Sequence, residues 1–105
     1  MSSKSLGSAN YDALQIFNTV HLIAYGENPT YGYRNYFARS PLAVFPPTHT
    51  FYSDSPSGFV LPELAPFVAN TSFPATEEVA SVLVSDSNGD NAVQVSQLSP
   101  ATVLR

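Results

Sequence analysis

From Asn28-Pro29 onward the chain is cut by nine prolines and by clusters of Gly, Asn, Asp and Ser. The turn clusters recur roughly every 8–12 residues, the spacing of short strands joined by turns rather than of helices. Val, Ile, Thr, Phe and Tyr fill the pieces between them, and such β-branched and aromatic side chains suit a pleated surface. No helix-capping pattern precedes any of them. The reading that follows is an all-β domain of about seven short strands, arranged as a two-sheet antiparallel β-sandwich of the immunoglobulin-like kind.

The longest apolar-rich run is Ala13 to Tyr25. Leu14, Ile16, Val20, Leu22 and Ala24 fall on one side of a two-residue period, and Asn18 interrupts that row, as a bulge or a change of sheet would. A helix over Tyr11 to Ala24 is the competing expectation. Further strands are expected at Tyr33–Ala38, Leu42–Phe45, Thr48–Tyr52, Phe59–Leu61, Phe67–Phe73, Glu78–Val84 and Ala92–Leu98. Asn88-Gly89 between the last two is a strong hairpin signal. Residues 1–10, rich in Ser, Gly and Asn, read as a flexible arm, 11–99 as one domain, and 100–105 as a tail.

Charged residues make up 11% of the chain, about half the usual share or less. Lys4, Arg34, Arg39 and Arg105 are the only basic residues, and two of them lie at the ends. No basic patch can be assembled, which speaks against nucleic acid and against an anionic membrane surface. Cysteine is absent, so disulfides, zinc thiolates and thiol nucleophiles are excluded. Residues 1–10 carry no apolar run of the signal-peptide kind, and no run approaches the ~18 residues of a membrane span. The expected location is cytoplasmic.

The densest cluster of turn residues and aromatics is Gly26 to Phe37. Asn28-Pro29 starts a turn, because Pro presets φ and Asn can bond its own backbone. Gly32 can take a positive φ without a steric clash. Tyr31, Tyr33 and Tyr36 bring large, stiff side chains with a polar tip, a combination favoured in recognition loops. The expected binding residues are Asn28, Pro29, Thr30, Tyr31, Gly32, Tyr33 and Tyr36, and the expected partner is another protein or a second copy of the chain.

The segment Asn28-Pro29-Thr30-Tyr31-Gly32-Tyr33 also resembles the first inhibitory loop of the chagasin-type inhibitors of papain-like cysteine proteases. That loop joins two strands of an immunoglobulin-like sandwich of similar length. Asn28, Pro29, Thr30, Gly32 and Tyr33 match its Asn-Pro-Thr-Thr-Gly-Tyr/Phe pattern, and Tyr31 stands where the second Thr is found. The resemblance implies that residues 28–32 would enter a protease cleft beside the catalytic cysteine. The family's glycine-rich second loop and Arg-Pro-aromatic third loop have no counterpart here, so the likeness is confined to these six residues.

Other motifs point to no chemistry. Asp86, Asn88 and Asp90 alternate like calcium ligands, but Asn91 and Gln97 occupy the positions where the turn Gly and the bidentate acid belong, so a hairpin tip is the better reading. His21 and His49 have no third ligand at metal-binding spacing, and each is expected to face solvent or to make a structural hydrogen bond. Glu77 and Glu78 are adjacent and would point to opposite faces of a strand. With no nucleophile elbow and no phosphate-binding loop, neither an enzyme nor a cofactor is expected. Sugar or small-ligand binding on the Tyr patch is the remaining alternative.

Overall fold

A computed structural model describes residues 5–40, 44–58 and 63–98. These residues form seven strands: β1 (Asn10–Ile16), β2 (Thr19–Asn28), β3 (Arg34–Arg39), β4 (His49–Asp54), β5 (Ala65–Pro74), β6 (Ser81–Asp86) and β7 (Gly89–Leu98). No helix occurs among the described residues. The strands make one sheet in the order β3-β4-β6-β7-β1-β2-β5, and its two outer strands, β3 and β5, lie side by side, so the sheet is nearly closed into a barrel. The β1–β7 and β4–β6 pairs are parallel; the other four are antiparallel.

Turn chemistry explains most of the connections. β6 and β7 form a hairpin closed by Asp86 and Gly89. Gly89 takes φ 106°, a value that an L side chain rarely adopts, and the Asn88 N–H donates to Asp86 Oδ1 at 2.8 Å. The Asp86–Asn91 segment is therefore the tip of a hairpin. β7 then changes neighbours: Gly89–Gln94 pair with β6, and Val95–Leu98 pair with β1.

The Ala13–Tyr25 run is not one strand. It folds back on itself as the β1–β2 hairpin, with Ile16 opposite Thr19 across Phe17 and Asn18. Phe17 takes φ 55° and is 64% exposed. A bulky residue in that region is strained, and Gly usually holds such turn positions. The reversal shifts the pattern by one residue in β1. Ala13 and Gln15 face the interior, and Leu14 and Ile16 face outward, whereas Val20, Leu22 and Ala24 point inward from β2 as expected. Gln15 is buried because it satisfies backbone that would otherwise be orphaned. Its Nε2 donates to the carbonyls of Glu77 (3.0 Å) and Ala75 (3.4 Å), and its Oε1 accepts the Val79 N–H at 2.9 Å.

Residues 5–7, within the segment read as a flexible arm, bridge β4 and the β6–β7 turn. Gly7 N–H donates to the Phe51 carbonyl (3.1 Å), Ser53 N–H to Ser5 (2.8 Å) and Ser87 N–H to Gly7 (2.8 Å). These bonds satisfy the upper edge of β4, which β6 leaves unpaired beyond Thr50. The expected strand at Phe59–Leu61 and the 100–105 tail lie outside the described residues, as do Leu42 and Ala43 of the expected strand at Leu42–Phe45, whose Val44 and Phe45 are not in a strand.

The interior has two compositions. Ala13, Val20, Leu22, Ala24, Val82, Val84, Val93 and Val95 fill the side beneath β1, β2, β6 and β7. A chain of rings runs along the β3, β4 and β5 side: Tyr11, Phe37, Phe51 and Phe67 lie with neighbouring centroids 5.4–6.2 Å apart, followed by His49, Phe73 and Phe45. At one end Tyr11 donates its hydroxyl to Asp86 Oδ2 at 2.5 Å. Burial, then that carboxylate, raise the Tyr11 pKa above its ordinary value of 10.0.

Candidate functional site

The loop singled out in the sequence lies where β2 gives way to β3. Its residues separate into an anchor and a tip. Asn28 is the last residue of β2, paired with Ala65 of β5 and buried, so it belongs to the base of the loop rather than to a contact surface. Pro29 is exposed and Thr30 half-buried. Tyr31 is 54% exposed. Gly32 takes φ 92°, where a side chain would be strained, and Tyr33 is half-buried as the chain enters β3. The structure thus brings Pro29, Tyr31 and Gly32 together at the tip and sets Asn28 apart from them.

Tyr36 lies farther on, inside β3, on the outer face. Its ring stacks on Tyr52, its partner on β4, with centroids 5.3 Å apart and planes 25° from parallel. The Arg34 guanidinium sits 4.9 Å from the same ring. Its hydroxyl donates to Asp54 Oδ2 at 2.9 Å, and the other oxygen of Asp54 accepts the Ser5 N–H at 2.9 Å. Desolvation, and after it Asp54, hold the Tyr36 phenol above its ordinary pKa. Ring and hydroxyl are therefore both engaged within the protein. Tyr36 braces the strand that follows the loop, whereas Tyr31 stands exposed at its tip.

A second surface escaped the sequence reading. Leu14, Ile16, His21 and Ile23, with Asn70, Thr71 and Ser72 of β5, line a shallow depression of about 390 Å³ on the outer face of β1, β2 and β5. Tyr25 and Val68, opposite each other on β2 and β5, extend it, and Val68 is 69% exposed. The alternation that placed Leu14 and Ile16 was legible; the turn at Phe17 reverses which face they share with β2.

His49 departs from expectation. It is 1% exposed, and neither ring nitrogen has a hydrogen-bond partner. Burial, and then the Arg39 charge, push its pKa below 6.5; the Pro47 carbonyl opposes this in part, without reaching bonding geometry with either nitrogen.

Chemically, the loop offers apolar area, phenol hydroxyls and backbone groups. No cluster of three or more His, Asp or Glu side chains able to hold a metal ion occurs among the described residues. No helix among them is long and apolar enough to cross a membrane. Comparison with protein-family models, with characterised proteins and with solved structures finds no match to this chain.

Proposed function

We propose that this chain is a small non-catalytic binding or assembly module that recognises another protein through the 29–33 segment. One observation supports this reading above others: Tyr31 stands 54% exposed on a turn fixed at one end by buried Asn28 and bent by Gly32 at φ 92°. A stiff loop that presents an aromatic loses little conformational freedom on binding. The sandwich reading of the fold belongs with this proposal. Because β7 pairs with β6 over its first part and with β1 over its second, β3-β4-β6-β7 and β7-β1-β2-β5 can be taken as two layers sharing a strand, with the loop at one end in the immunoglobulin-like manner.

The exposure of Pro29, Tyr31 and Gly32 also suits the chagasin-like alternative, in which the same tip blocks the cleft of a papain-like protease. Sugar binding draws less support, since the Tyr36 ring is packed against Tyr52 and Arg34.

The test compares wild type with Tyr31→Ala. Stability should change by less than about 0.5 kcal/mol, as at other exposed positions. Concentration-dependent light scattering reads self-association, a pull-down from the native host with both baits reads a foreign partner, and titration against papain reads inhibition. Loss of the interaction in the variant supports the loop. A partner held equally by both proteins removes the loop from the interface, and papain left fully active at high micromolar protein removes the inhibitor alternative.

A further inference from the structure

We propose that His49 is an acid-sensitive latch on the β3–β4 hairpin: when its imidazole takes up a proton, the hairpin parts from the barrel along the seam facing β5 and uncovers the ring-lined interior.

The latch stands where the sheet is most weakly joined. His49 begins β4 and is the residue partner of Arg39 on β3 and of Val84 on β6. The β4–β6 ladder contains only His49–Val84 and Thr50–Ser85, whereas β2 and β5 pair from Thr19–Pro74 through Asn28–Ala65. On its other side the hairpin ends in β3, which borders β5 without a ladder. Among the described residues, the hairpin is held to the rest of the sheet by two residue pairs, the residue 5–7 bridge and ring packing. His49 takes part in the first and the last, since its ring meets Phe37 edge-on at 6.1 Å and stacks on Phe73 of β5 at 5.8 Å.

A proton on this ring would be compensated only in part. The charged group acting on it is Arg39, a cation. β5 contributes Phe73 and β6 contributes Val84, and neither titrates. The Pro47 carbonyl favours the proton in part, though it bonds neither nitrogen. The Phe73 face offers a cation–π contact, which replaces only part of the hydration that a buried imidazolium loses. Opening rehydrates the ring, and the open form binds the proton at its ordinary affinity.

The direction with pH follows. The closed-state pKa lies below 6.5, so between these two values the open form binds more protons. The closed form keeps its full advantage above pH 6.5, loses it as pH falls toward the closed-state value, and loses no more below that. Within the window the open-to-closed ratio rises by up to about tenfold per pH unit.

Hydrogen exchange, corrected for intrinsic rates, and binding of an apolar fluorescent dye are to be followed from pH 7.5 to 5.0 on the full chain and on His49→Phe. In the wild type, amides of β3 (Arg34–Arg39) and β4 (His49–Asp54) should lose protection and dye should bind, with β1, β2 and β5 still protected. His49→Phe should stay closed throughout. The inference is overturned if His49→Phe opens at the same pH as wild type, or if every strand loses protection together. Should His49→Phe not fold, His21→Asn leaves one imidazole to follow by NMR. A proton uptake whose midpoint coincides with the onset of exchange in β3 and β4 supports the latch; ordinary titration near 6.5 with unchanged exchange overturns it.

Discussion

The β3–β4 hairpin and the rest of the sheet are stabilised in different ways. β1, β2, β5, β6 and β7 are joined by ladders of four to ten residue pairs, and the side chains beneath β1, β2, β6 and β7 are mostly Ala, Val and Leu. Small and branched residues let strands approach and curve while the backbone bonds run on uninterrupted. The hairpin has six pairs within itself but only two to β6, and rings fill the space beneath it. Large rings reach across a gap that backbone bonds do not span, and each buries a large apolar area. Cohesion is spread along the backbone in one region and concentrated in a few side chains in the other.

Three substitutions would break or sharpen that contrast. The largest effect is expected from Val82→Asp, which places an unpaired charge at a fully buried point of the ladder-rich region; it should cost more than about 4 kcal/mol and abolish the cooperative transition in urea. A protein that still unfolds cooperatively would mean that this core is looser than its burial indicates. Phe51→Ala should cost about 3–5 kcal/mol, and exchange should rise first in β3 and β4. A uniform rise over all strands would show that the hairpin is not a separate unit. The smallest effect is expected from Gly7→Ala. A methyl there would collide with Ser53 Cβ and stand 2.9 Å from the Phe51 ring, costing about 1–3 kcal/mol by overpacking. An unchanged thermal midpoint would show that residues 5–7 add nothing to the hold on β4.

The sequence revealed some of this directly. Alternation and turn residues located β3, β4, β5 and the β6–β7 hairpin, because each is bounded by Pro, Gly, Asn or Asp. The β1–β2 reversal was hidden because Phe17 and Asn18 include neither Gly nor Pro, and the turn places a strained phenylalanine where local rules put glycine. Gln15 and His49 were hidden for a related reason. Both are polar, so a local pattern sends them outward, and only the connection after β5, or the rings around β4, accounts for their burial. At the candidate site, the exposed tip could be read from Pro29 and Gly32. That Asn28 anchors the loop and Tyr36 braces β3 depends on Ala65, Tyr52 and Asp54, which lie far off in the chain.

The divided pairing of β7 has a consequence for assembly of the sheet. A slip of one residue along this strand would turn Val93 and Val95 toward solvent, mismatching β6 and β1 in the same step. Neither neighbour can settle into alignment without fixing it for the other. Two distant stretches of chain are thereby committed by a single choice of alignment.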